Sequence, residues 1–229
     1  MRVSPSAVAG VGLLGPRSDE FEQALAPLLG RAPRELVAPA LPYSVIVTND
    51  SDRPVALLGV RFDMTGRRGE PYSVIHYADS LRNPQSADFL PGTRRFVCAE
   101  PSFTALLLRR DEDLSSRGRN NLSNLRRMLD ISASLDCVAW DNGRFAGPDS
   151  LGAFTRLARQ SAMERTLAGQ VLNLSDRDAE KLLLEAAEDL NDRARRTLAR
   201  RLLEGLQSGG HEEMLSRARS HRLKIAVWR

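Results

Sequence analysis

Ile131-Ser-Ala-Ser-Leu-Asp-Cys-Val-Ala-Trp140 is the stretch that decides the fold. Its period is two. Ile131, Ala133, Leu135, Cys137 and Ala139 alternate with Ser132, Ser134, Asp136, Val138 and Trp140, the pattern of a half-buried antiparallel strand. Asp141-Asn-Gly143 follows at once. Asn-Gly suits the positive φ values of a type I′ hairpin turn, so residues 144–146 read as the return strand.

Upstream the same rhythm recurs. Tyr43-Ser-Val-Ile-Val-Thr-Asn49 reads as a strand ending in the polar turn Asn49-Asp-Ser-Asp52. In 55–65, Val60, Phe62 and Met64 share one face while Arg61 and Asp63 take the other. Gly66-Arg-Arg-Gly69 turns the chain into 72–77, and Leu90-Pro-Gly-Thr93 turns it into strands at 95–99 and 103–108. Residues 109–127, rich in Ser, Asn and Arg, read as a loop. About seven strands in about a hundred residues, with no helix between them, favour a sandwich over a βαβ fold.

The flanks differ. Residues 1–17 read as disordered or loosely packed, and Ser18 caps a short helix through Phe21, Leu25 and Leu28 that Gly30 stops. After Gly147-Pro-Asp149 the period becomes helical, with Asp149 or Ser150 as cap and Leu151, Phe154, Leu157, Ala158 and Ala162 on one face. Ser175-Asp-Arg-Asp178 opens a second helix whose stripe runs from Leu183 through Leu190, Leu198 and Leu202 to Leu206, and Ser208-Gly-Gly210 ends it. Residues 223–228 read equally as strand or helix. The chain is expected to be α+β: an N-terminal segment at 1–35, an antiparallel β-sandwich at 36–148, and a charged helical hairpin or tail at 149–229.

Composition narrows the function. The 229 residues are 42% apolar and 27% charged, enough for a buried core. Aromatic residues, at 5%, are too few for a sugar- or base-stacking platform. The pI is 9.6, but the lysines are Lys181 and Lys224 alone, and an arginine skew of this kind reads as a GC-rich bacterial gene. Residues 1–150 carry 18 basic and 18 acidic side chains, and 151–229 carry 15 and 11, so the tail holds the excess. Cys98 and Cys137 read as small core residues, with a disulfide possible in an oxidising compartment. The 7–15 stretch, with three glycines, is a poor export signal, and nothing approaches the ~20 apolar residues of a membrane span. Cytoplasmic location is the default expectation, with a secreted or periplasmic one left open by the choice of start codon.

No catalytic, cofactor or metal motif stands out. Ser in a Gly-x-Ser-x-Gly setting is absent, and Gly10-Val-Gly12 with Gly15 has the letters of a dinucleotide loop but no strand before it. Asp141, Asn142 and Asp149 lack the spacing of a calcium loop, and each has a local role as turn former or cap. His76 and Asp79, three apart on a strand, point to opposite faces. Arg193, Arg196 and Arg200 line one helical face, as a phosphate-binding row would, yet Asp189 and Asp192 precede them at pairing distance on the same helix.

Tyr43-Ser-Val-Ile-Val-Thr-Asn-Asp-Ser51, with Val60-Arg-Phe62 after it, resembles the opening of many bacterial immunoglobulin-like sandwiches. Leu90-Pro-Gly-Thr-Arg-Arg-Phe-Val-Cys98 fits that pattern. Asp141-Asn-Gly-Arg-Phe-Ala-Gly-Pro-Asp149, running into a helix, is similar to a hairpin-to-helix junction in proteins of soil bacteria that have no assigned activity. The resemblance spans 43–167 and implies a fold only. No functional residue carries over.

The leading expectation is a non-enzymatic binding or assembly module without a cofactor, its partner a protein (a second copy or another chain) and its contact surface Arg193, Arg196, Arg200, Leu198 and Leu202. The alternatives are an enzyme with a site on the sandwich loops around His76, Asp79 and Asp88, and nucleic-acid binding through 193–201, which is not expected.

Overall fold

The computed structural model describes residues 1–29, 37–80, 89–101, 104 and 122–225. The expected strand at 103–108 (Thr104 apart), Asp88, Gly30, most of the 109–127 loop and residues 226–229 lie outside the described residues. The chain forms two compact units, Met1–Ser150 and Leu151–Arg229.

The first unit holds the strands β1 (Arg2–Val3), β2 (Val11–Leu14), β3 (Ser44–Asn49), β4 (Val55–Thr65), β5 (Pro71–Asp79), β6 (Arg94–Cys98), β7 (Asp130–Trp140) and β8 (Phe145–Ala146), with helix α1 (Asp19–Leu29). One sheet runs β1-β7-β4-β5 with β8 also on β7, and the other runs β2-β3-β6. Neither sheet closes on itself. β4 buries Val60, Phe62 and Met64 and leaves Arg61 and Asp63 half-buried on the other face, as its alternation predicts. Those side chains join Val45, Ile46 and Val47 of β3, Phe96 and Val97 of β6, and Phe21, Ala24 and Leu25 of α1 in one contiguous apolar core. Both sheets and α1 therefore share a single core, worth roughly 25 cal/mol for each Å² of apolar surface removed from water.

The N-terminus departs from expectation. Residues 1–17 are not loose: β1 pairs parallel with β7, making that sheet mixed rather than antiparallel, and β2 pairs antiparallel with β3. Val8 and Val11 lie in the core. Strands of two and four residues leave no alternation to read, and their partners are distant in sequence. The hairpin after β7 also differs. Gly143 takes φ 81°, its N–H bonds to the Trp140 carbonyl, and Asn142 is not among the positive-φ residues. The loop is thus a three-residue connection with only its last residue left-handed, in place of a two-residue type I′ turn.

The second unit is helical: α2 (Ala153–Val171), α3 (Asp176–Glu188) and α4 (Arg193–Ile225). Ser175 caps α3 by accepting the Asp178 N–H. Gly152, not Asp149 or Ser150, precedes α2, and it contributes no side-chain cap. The single long helix expected from 175 to 206 is broken. Asp189 leaves the helical region at ψ 106°, and Asp192 Oδ1 accepts the Arg195 N–H at 2.9 Å, so Asp192 starts a new helix. Inside α4 the chain turns at Gly210 (φ 70°, ψ −165°), a conformation that favours glycine. The two halves fold back on each other: a Cβ on Gly205 would lie 2.8 Å from Arg217 Cδ, and the Arg217 guanidinium donates to the Arg201 carbonyl at 3.3 Å. Leu167, Val171, Leu183, Leu202 and Met214 close a core within this unit. Among the described residues, no helix is long and apolar enough to cross a membrane.

Candidate functional site

The register of β4 against β7 slips by one residue. Gly59 faces Cys137 and Val60 faces Leu135, so Asp136 is the extra residue of a β-bulge. The slip changes which side chains enter the core. Ile131, Ala133 and Leu135 point inward before it, and Val138 and Trp140 after it. The alternation read across 131–140 therefore inverts halfway. Asp136 and Cys137 are both left off the core, on the face of the sheet that also carries Tyr77.

Asp136 is 0% exposed, and a carboxylate so buried requires partners. Oδ1 accepts the Ser150 N–H at 3.1 Å, and Oδ2 accepts the Tyr77 hydroxyl at 3.4 Å. The Asp136 carbonyl accepts the Asp149 N–H at 3.0 Å. Two glycines make room. A Cβ on Gly59 would lie 2.6 Å from Cys137 Sγ and 2.9 Å from the Tyr77 ring, and one on Gly147 (φ 112°) would lie 2.5 Å from the Asp136 carbonyl oxygen. On the same face, Arg61 donates to Asp63 Oδ1 at 2.8 Å, to Ser150 Oγ at 3.0 Å and to Ser73 Oγ at 3.2 Å, while the Ser73 hydroxyl donates to Asp63.

Asp136, Cys137 and Asp149 each offer a donor atom, all within 4.8 Å of one another. Two carboxylates and a thiol are a donor set of the kind a borderline divalent cation takes. Both oxygens of Asp136 already accept hydrogen bonds, so the same geometry is complete as a clamp fixing 147–150 onto the sheet. Asp149 and Ser150, expected as helix caps, are used here instead.

The residues singled out in the sequence do not converge. His76 faces inward beside Val60, meets the Phe62 ring edge-on at 5.4 Å, and donates through Nε2 to the Ala99 carbonyl at 3.2 Å. Burial lowers its pKa, against the opposing pull of the Ala99 bond and the Glu100 charge, which keeps the ring neutral near pH 7. Asp79, opposite Leu57, lies on the other face, and Asp88 lies outside the described residues. Asn142 Oδ1 accepts the Arg144 N–H and Asp141 pairs with Arg53, so both serve the turn. Neither cysteine is in a disulfide, both are buried, and burial pushes the Cys98 thiol up to about 11.

Arg193 and Arg200 are exposed and Arg196 is half-buried, its guanidinium donating to the Asp189 carbonyl at 3.4 Å. Leu198 and Leu202, expected on a contact surface, lie inside the helical core, because the fold-back at Gly210 supplies the partners that the stripe requires. Asp189 and Asp192 do not sit on one helix with the arginines, and their side chains accept the Asn191 and Arg195 N–H groups.

Sequence reading missed one more constellation. Glu164 is buried on the inner face of α2, and the His221 Nε2 donates to its Oε2 at 3.1 Å. The signal was present: Glu164 falls in the spacing of Leu157, Leu167 and Val171, a carboxylate inside an apolar stripe. The chain matches no protein-family model, no curated protein and no solved structure.

Proposed function

We propose that the chain is a non-enzymatic binding or assembly module, with the two-sheet unit as scaffold and the helical unit as contact surface. We read the scaffold as an immunoglobulin-like sandwich, supported by the single core that its two sheets share. Two unbridged, buried thiols suit a reducing compartment, which favours the cytoplasm.

One observation carries the functional reading. The helical unit closes its own core, yet Leu184 remains 51% exposed and Leu190 83% exposed among charged residues, on α3 and on the turn after it. Apolar side chains rimmed by charge are the anatomy of a contact surface.

The test is capture from nuclease-treated native lysate with the tagged full-length chain, beside a Leu184→Asp/Leu190→Asp variant of unchanged circular dichroism. A protein held by the natural chain and lost from the variant supports the reading. Retention indifferent to both leucines removes the helical unit as the contact surface. The arginines give a second reading, polyanion binding, because Arg193 and Arg200 are exposed and Arg196 bonds to the Asp189 carbonyl rather than to its carboxylate. That reading predicts retained nucleic acid whose affinity falls steeply with salt, and no binding at low salt ends it.

A further inference from the structure

Resting on the reading of the helical unit as a contact surface, we infer that its partner is a second copy of this chain, joined across a two-fold axis at the turn between α3 and α4. The inference comes from the order of charge along 177–201. On α3 a surface depression holds Leu184 among four carboxylates, Asp178, Glu180, Glu185 and Glu188, against two cations. In the first half of α4, before Gly210, the exposed charged side chains are Arg193, Arg200 and Arg201, with Glu204 beyond them. Between the two stands Leu190, the most exposed of the large apolar side chains among the described residues, at 83%. Along the chain the exposed side chains thus run acidic, then apolar, then basic.

Such a surface is complementary to itself. A two-fold axis through the turn sets each acidic depression opposite the other copy's arginines and brings the two Leu190 side chains together at the centre. That is the requirement of an isologous interface, in which residue i meets j and j meets i. The two acids that precede the arginines turn a side-chain oxygen to the backbone, and Arg196 bonds to the Asp189 carbonyl rather than to its carboxylate. Asp189 Oδ1 accepts the Asn191 N–H and Asp192 Oδ1 accepts the Arg195 N–H, both at 2.9 Å. The arginine charge is available for recognition across an interface, where complementary potential selects the partner and the register. A neutral partner would leave both charged flanks unmatched.

The experiment is light scattering on full-length protein over a range of concentration and salt, with two charge-reversed variants, Glu185→Arg/Glu188→Arg and Arg200→Glu/Arg201→Glu. All four positions are exposed. The natural chain dimerises, and salt weakens the dimer. Each variant alone associates about tenfold or more weakly, because like charges then face each other. An equimolar mixture of the two variants restores a dimer, since each reversed face meets a reversed complement, and misfolding cannot produce that rescue. A natural chain that stays monomeric overturns the inference, as does a dimer indifferent to both reversals or a mixture that fails to recover. A monomer that still captures another protein, and loses it on Leu184→Asp/Leu190→Asp, overturns self-association while leaving the contact-surface reading intact.

Discussion

Asp136 in the sheet unit and Glu164 in the helical unit are both buried carboxylates, 0% and 7% exposed, and each unit holds its acid by different means. Asp136 is held by a backbone N–H and a tyrosine hydroxyl, neutral donors fixed by the bulge and by the 147–150 turn. Glu164 is held by the imidazole of His221, a single side chain 57 residues further along the chain. The contrast follows from backbone geometry. A turn laid against a strand, as 147–150 is, has N–H groups free of the ladder to direct at a carboxylate, whereas helix-interior N–H groups are spent within the helix, so a buried acid there requires a side chain.

The largest expected effect is in the helical unit. Glu164→Leu leaves the His221 N–H without its acceptor, and an unsatisfied buried donor together with the disturbed packing costs about 1–3 kcal/mol. Urea unfolding followed by far-ultraviolet circular dichroism measures this. The Glu164→Leu/His221→Leu double variant recovers most of the loss, and a single-variant cost under about 1 kcal/mol would mean the pair is solvated and the contrast false. In the sheet unit the effect is smaller. Asp136→Asn keeps an acceptor for the Ser150 N–H and an amide for the Tyr77 oxygen, so its cost is about 1–2 kcal/mol. If Asp136→Asn instead matches the Glu164 variant, the clamp depends on charge rather than on neutral donors.

The smallest effect is in pH dependence. The pKa of His76 is lowered in the folded chain from 6.5, so below that value the unfolded chain takes up the proton first. Its contribution to stability is complete above the unfolded value and is lost as pH falls through the folded one. The decline in unfolding free energy between about pH 7.5 and about pH 5.5 is expected to be shallower for His76→Gln, which retains a donor for Ala99 without titrating. An unchanged slope would show that His76 exchanges its proton alike in both states.

Much of the sheet unit was legible in its sequence because side-chain period reports which face is buried. Val60, Phe62 and Met64 marked the inner face of β4 correctly. In β7 the same logic held as far as Leu135 and then reversed. Val138, Ala139 and Trp140 are all apolar, so nothing in the letters shows that Asp136 had been inserted into the pairing. The cluster around Asp136 was invisible for that reason. It exists because of a register slip against Gly59, a property of two strands and not of one. In the helical unit Leu190 keeps time with Leu183, Ala187 and Ala194, and that rhythm concealed the break. Asn191-Asp192, a pair that prefers capping geometry, was the readable sign.

The parallel pairing of β1 has a consequence for the order of assembly. Arg2 and Val3 lie beside Ser132 and Ala133, and the Arg2 guanidinium pairs with Asp130, 128 positions away in the chain. β1 thus waits for β7, which is made well over a hundred residues later. No fragment lacking the region around residue 130 can seal that edge of the sheet, so completion of the sheet unit is a post-emergence, end-to-end closure, with the slow kinetics of high contact order.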